Sequence, residues 1–98
     1  MAVVVQVDYP GMTLEQYDEL VEILGLLPGG PPPRGVLFHS AMKIDGGIRI
    51  IDAWESPEAL QEFQGSTIGP VLDKLGVTET PEMTFLEVHN YFVGKRSH

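Results

Sequence analysis

The chain opens on a β-branched apolar run, "AVVVQVD" at residues 2–8, closed by "YPG". Such residues favour strands and Pro-Gly favours a turn, so a first strand is expected here. Val3, Val5 and Val7 share one face, and Ala2, Val4 and Gln6 the other. Both faces are largely apolar, the pattern of a strand covered on both sides. The period then changes. Leu14, Tyr17, Leu20, Val21 and Leu24 recur at helical spacing, with Glu15, Asp18, Glu19 and Glu22 on the remaining surface. Thr13 is suited to the N-cap, Gln16 completes a capping box, and Gly25 ends the helix.

"PGGPPPRG", residues 28–35, continues no regular element and reads as a stiff connector rather than a polyproline ligand. Two strands, 36–44 and 48–55, flank "DGG", a hairpin signal. Ser56 and Pro57 are expected to start a second helix whose buried stripe is Ala59, Leu60 and Phe63. "GSTIGP" at 65–70 should interrupt it, with Pro70 opening a fresh turn that carries Val71, Leu72 and Leu75. A broken or kinked helix is therefore expected. A last strand is expected over 83–93, "MTFLEVHNYFV", followed by a frayed tail, "GKRSH".

The order β-α-β-β-α-β predicts one α+β domain over residues 1–98, a ferredoxin-like four-stranded antiparallel sheet with both helices on one face. The second face of such a sheet is normally polar, whereas here every strand offers apolar residues on both faces. Covering that patch calls for a sheet-to-sheet homodimer.

Composition narrows the function. A net charge of −8, with the only basic cluster at Lys95-Arg96, repels phosphate backbones and predicts no nucleic-acid binding. No apolar run approaches the ~20 residues of a membrane span, and no signal peptide precedes Asp8, so neither membrane insertion nor export is expected. The absence of cysteine excludes disulfides and thiolate chemistry. A cytoplasmic protein is expected.

Asp52 and Trp54 share one face of an otherwise apolar strand, and strand parity sets His39 on a face of its neighbour with Leu37, Ala41 and Lys43. A two-residue "GG" turn would set His39 opposite Trp54 and Ala41 opposite Asp52. A three-residue "DGG" loop would pair Phe38 with Trp54 and Ser40 with Asp52, on the other face. The first arrangement is favoured. It gathers a base, His39, a carboxylate to orient it, Asp52, and an aromatic wall with an N–H donor, Trp54. The structural reading of the same residues is a His–Asp bond that satisfies two polar groups in a small core. His89 and Tyr91 on the last strand, with Phe63 on the second helix, are further candidates to contact a ligand. His39, His89 and His98 show no metal-ligand spacing, and no phosphate loop or nucleophile motif is present, so no metal or cofactor is expected.

"IIDAWESPEALQEF" (51–64), with Trp54-Glu55-Ser56, Glu58-Ala59 and Phe63, resembles the antibiotic-biosynthesis-monooxygenase-like domains of the dimeric α+β barrel superfamily. "VDYPGMTLEQYDEL", "FHSAMKIDGGIRIIDAWES" and "EVHNYF" resemble a subgroup of small actinobacterial-type proteins, so the likeness covers nearly the whole chain. It implies a dimeric barrel and a cofactor-independent monooxygenase acting on an aromatic or enolisable substrate between sheet and helices. Polyketide cyclases, isomerases and proteins without demonstrated chemistry share that barrel. Other members degrade haem with an Asn on the first strand, a Trp on the third and a His on the second helix. Trp54 matches the Trp, but Gln6 stands on the first strand and no His occurs in 57–76, which argues against haem degradation.

Overall fold

In the computed structural model, residues 2–26, 32–77, 81–92 and 94 are described. The Pro-rich stretch 28–31 and the basic residues Lys95 and Arg96 lie outside them. The elements are β1 (Val3–Pro10), α1 (Leu14–Leu24), β2 (Val36–Ile44), β3 (Gly47–Trp54), α2 (Pro57–Phe63), a π-helical turn (Gln64–Ile68), α3 (Gly69–Lys74) and β4 (Glu82–Glu87). Strand order is β2-β3-β1-β4, all neighbours antiparallel, which is the expected ferredoxin-like α+β arrangement. No helix among the described residues is long and apolar enough to cross a membrane.

Period-two alternation decides which face the helices cover. Val3, Val5, Val7 and Tyr9 of β1 are buried, and Val7 pairs with Ile50 and Val5 with Asp52 on β3. Leu20 from α1 and Leu60 from α2 are buried in the same core with Met12, Ile48 and Trp54. Thr13 caps α1 as expected: its hydroxyl accepts from Gln16 N–H at 3.1 Å, and Gln16 Oε1 accepts from Thr13 N–H at 3.0 Å. Gly25 closes that helix at φ 71°. Leu14 departs from the expected stripe. It is the first residue of the helix and stays exposed.

The hairpin register differs from both expectations. Ile44 pairs with Gly47, so the two-residue turn is Asp45-Gly46, and His39 lies opposite Asp52 and Ala41 opposite Ile50. A bulge between Val36 and Phe38 then brings Val36 opposite Trp54. Gly46 supplies the left-handed residue of the turn at φ 79°. Gly47 enters the strand opposite Pro10, and β1 lies so close there that a side chain would overlap the Tyr9 carbonyl oxygen. The expected face is kept, and it carries His39 and Asp52 together.

Two boundaries move, and one interruption takes a form of its own. β1 runs on through Tyr9 and Pro10, which pair with Ile48 and Gly47, rather than stopping before the turn signal. The interruption expected at 65–70 takes the form of a π-helical turn, after which α3 opens with Pro70 in its first turn. Pro70 has no N–H to give, and Gly69 N–H reaches back five residues to Gln64 C=O, making the π turn. β4 ends at Glu87 rather than at 93. Among the described residues its only neighbouring strand is β1, and the pairing ends as Val88 N–H bonds Ala2 C=O at 3.0 Å.

On the other face, pairing aligns Leu86, Val4, Ala53 and Phe38 across all four strands. Leu86, Phe38 and Met42 are exposed there. Asp8 and Arg49 form a bidentate pair on this face at 2.8 and 3.0 Å, and the guanidinium holds the Asp8 carboxyl below the usual carboxylate range.

Candidate functional site

The site is a short polar line at the edge of an apolar cavity. Asp52 is the buried charged residue of the helix-covered face, flanked along β3 by Ile50 and Trp54. Across the hairpin, His39 Nδ1 lies 2.6 Å from Asp52 Oδ1. Carboxylate oxygens accept, so Nδ1 carries the hydrogen and Nε2 is left as the acceptor. That atom is met by Tyr17 from α1, whose phenolic oxygen stands 2.6 Å from Nε2 and donates to it. The two rings are parallel to within 4°, with centroids 6.2 Å apart. Tyr17 sits one turn into α1, where its N–H bonds Thr13 C=O at 3.0 Å, so the capping box also fixes where the phenol points.

Burial differs along this line. The Asp52 side chain is 12% exposed and that of His39 is 44% exposed, so the imidazole stands at the mouth of the cavity and the carboxylate behind it. Desolvation raises the Tyr17 phenol above its ordinary pKa, and the negative charges of Asp52 and Asp18 add to this. Tyr9, on the cavity floor, is pushed up to about 12, by burial first and Asp52 second.

Trp54 is 1% exposed and stacks at an angle on Phe63, ring centroids 5.1 Å apart. Its indole N–H is fully buried without a hydrogen-bond partner among the described residues. A buried donor left unpaired costs about 1–3 kcal/mol, which a small core rarely tolerates without a reason.

The cavity holds about 60 Å³ and is lined by Val5, Val7, Tyr9, Tyr17, His39 and Trp54 among others. That is room for a few water molecules. A second, open groove of about 430 Å³ runs beside it, between Arg34, Glu55 and Glu62. The two share a wall of Leu24, Leu26, Pro33 and Phe63.

Of the residues singled out in the sequence, His39, Asp52, Trp54 and Phe63 meet at this cavity. His89 and Tyr91 do not line it; both are exposed and lie past the end of β4. The helical spacing marks Tyr17 only as part of the core stripe of α1. The available signal was a phenol in a row of Leu and Val on a face turned to the sheet.

No family model matches the sequence, and a comparison with curated proteins gives no match. Solved structures do match. A candidate antibiotic biosynthesis monooxygenase from Caulobacter crescentus aligns with a TM-score of 0.70 at 12% identity, covering 91% of each chain. SnoaB, a cofactor-independent oxygenase from Streptomyces nogalater, aligns at 0.61 and 13% identity, covering 92% of this chain and 94% of that one. The monooxygenase ActVA-Orf6 of Streptomyces coelicolor, solved with nanaomycin D, aligns at 0.61 and 18% identity, covering 96% and 93%. The fold of this chain is therefore the one shared by antibiotic-biosynthesis-monooxygenase-type structures.

Proposed function

We propose that this chain is a small-molecule enzyme, a cofactor-independent monooxygenase for an aromatic or enolisable substrate held between sheet and helices. The observation that carries the reading is the 2.6 Å His39–Asp52 bond at the mouth of an apolar cavity. An imidazole fixed on one nitrogen by a carboxylate is arranged to act as a base through the other. The likeness to SnoaB and ActVA-Orf6, an oxygenase and a monooxygenase, supports the reaction class.

In this reading an activated CH₂ of the substrate gives one proton toward His39. The electron pair left behind is shared with a substrate oxygen, to which the unpaired Trp54 N–H donates. The carbanion reduces molecular oxygen and forms a carbon–oxygen bond. The hydroperoxide regains the proton and loses water, leaving a carbonyl. One oxygen atom stays in the product and the other leaves as water, with the substrate as sole reductant.

Ligand pockets for drug-sized molecules run to about 300–1,000 Å³. A ring system therefore requires the shared wall of Leu24, Leu26 and Phe63 to yield into the adjoining groove. That narrowness favours one second reading, a non-catalytic protein that binds a smaller apolar ligand. We assign the exposed face of Phe38, Met42 and Leu86 to a homodimer contact, since a monomer would leave that patch wet. The cysteine-free sequence fits a reducing compartment, and we place the protein in the cytoplasm.

Anthrone, an enolisable aromatic ketone, serves as the probe substrate. Oxygen uptake with equimolar anthraquinone formation is expected for the parent protein, falling about 100-fold or more in His39→Ala. Because His39 is half in solvent, the variant should keep its circular dichroism and melting temperature. Equal turnover by the variant, or no oxygen uptake by either protein, would rule the oxygenase out.

A further inference from the structure

The acceptor nitrogen of His39 does not face the cavity unencumbered. Nδ1 is committed to Asp52 and Nε2 to the Tyr17 hydroxyl, each at 2.6 Å, so both ring nitrogens are occupied. A substrate proton can reach Nε2 only if Tyr17 swings away or if Tyr17 itself passes the proton. Tyr17 lines the cavity, and its oxygen, while donating to His39, still has lone-pair capacity to accept.

We propose that Tyr17 is the residue that touches the substrate, and that His39 acts through it. This rests on the acid–base reading of the site given above. The substrate proton passes to the Tyr17 oxygen as the Tyr17 hydroxyl proton passes to His39 Nε2. The substrate carbon–hydrogen bond and the old Tyr17 oxygen–hydrogen bond break, a new Tyr17 oxygen–hydrogen bond and a His39 Nε2–hydrogen bond form, and the products are a substrate anion, a neutral phenol and an imidazolium beside Asp52. No charge remains on Tyr17.

Three observations favour the relay over a swinging lid. The backbone of Tyr17 is pinned one turn from the capping box, limiting movement of its side chain to its own rotamers. The parallel rings, 4° apart, place the phenol oxygen in line with the imidazole edge. The depth of the groups also fits, because His39 is the most exposed member of the line and Tyr17 the one projecting from the helix over the apolar floor. Burial keeps the phenol protonated in the resting state, as a donor to Nε2 must be.

The test separates proton removal from oxygenation. Parent protein, Tyr17→Phe and His39→Gln are incubated with anthrone in heavy water without oxygen. Deuterium entry at the activated carbon is followed by proton NMR against a protein-free blank, and oxygen uptake is measured separately in air. The expected result is exchange by the parent protein and a loss of about 100-fold in kcat for exchange in Tyr17→Phe, with KM within about threefold. Tyr17→Phe removes one hydroxyl, so a preserved melting curve confirms that the loss is chemical. Exchange by Tyr17→Phe as fast as the parent, or faster, overturns the relay and makes Tyr17 a lid, with the His39 site intact. Exchange in the parent without oxygen uptake leaves the relay standing and removes the oxygenase reading. No exchange by the parent overturns both.

Discussion

Replacing Gly47 with alanine tests how the register that delivers Asp52 is held. A Cβ at Gly47 would overlap the Tyr9 carbonyl oxygen and sit 3.1 Å from the Tyr9 carbonyl carbon and 3.3 Å from Pro10 Cα, all backbone atoms of β1. No rotamer change relieves such a clash, so the two strands must part at this end. Parting them releases the 2.7 Å bond from Gly11 N–H to Gly46 C=O. One lost hydrogen bond and the overpacking together come to about 2–4 kcal/mol. Against a typical total of about 5–15 kcal/mol, that is a large share of the stability. For a domain of this size it corresponds to a fall in melting temperature of roughly 10–25 °C. Gly46→Ala is the control. It forces alanine into φ 79° but meets nothing within 4 Å, so only the left-handed backbone penalty of about 1–2 kcal/mol applies. Urea unfolding of both variants, followed by tryptophan fluorescence, decides the matter. A Gly47→Ala midpoint at or above that of Gly46→Ala would refute the reasoning.

Thr13→Ala removes the hydroxyl half of the capping box, the acceptor for Gln16 N–H, and should cost about 1 kcal/mol in urea unfolding, while Thr13→Ser should cost little. Leu60→Ala empties a fully buried core position and should cost about 3 kcal/mol; a loss under about 1 kcal/mol would mean that the cavity wall collapses onto it. The Tyr9 phenol, raised to about 12 when folded, binds its proton more tightly than an unfolded tyrosine at about 10. Its contribution is whole below pH 10 and is lost as pH rises from there through 12, so Tyr9→Phe should flatten the alkaline limb of the stability curve. Leu86→Glu should shift a homodimer toward monomer in sedimentation velocity, and a parent protein that sediments as a monomer would remove the assigned contact.

The fold was legible because each element carries a local signal strong enough to stand alone. Period-two burial on β1, the Thr13 box and the Ser56-Pro57 start of α2 all appear where the sequence placed them. The misplaced boundaries share one cause, which is that a partner strand decides them. Gly47 enters β3 because β1 is near, Pro10 stays in β1 because Gly47 is opposite, and β4 stops where its pairing with β1 ends. The site was legible to the same depth. Parity put Asp52 with Trp54 and His39 with Ala41, and the favoured two-residue turn set both pairs on one face, but the register itself needed the third strand. Tyr17 was hidden because a helical stripe reports burial, whereas its partner lies on β2 and no spacing along the chain connects the two.

Stability alone gives little reason for this polar line to exist. A buried polar pair is commonly matched or bettered by apolar residues of similar volume, so Leu or Val at 52 with an apolar partner at 39 would serve the core at least as well. The cavity around them is mostly Val, Leu, Ile and aromatic carbon, with which such replacements would pack. A pair kept only to satisfy itself would also be buried on both sides. Here the carboxylate is sheltered while the imidazole is nearly half exposed, so the bond orients a group that still reaches out of the core. The unpaired Trp54 N–H adds a second polar cost within the same few ångströms. Two unfavourable features converging on one cavity, among strand positions β1 and β3 otherwise fill with Val, Ile and Tyr on this face, are what local rules violated for function look like.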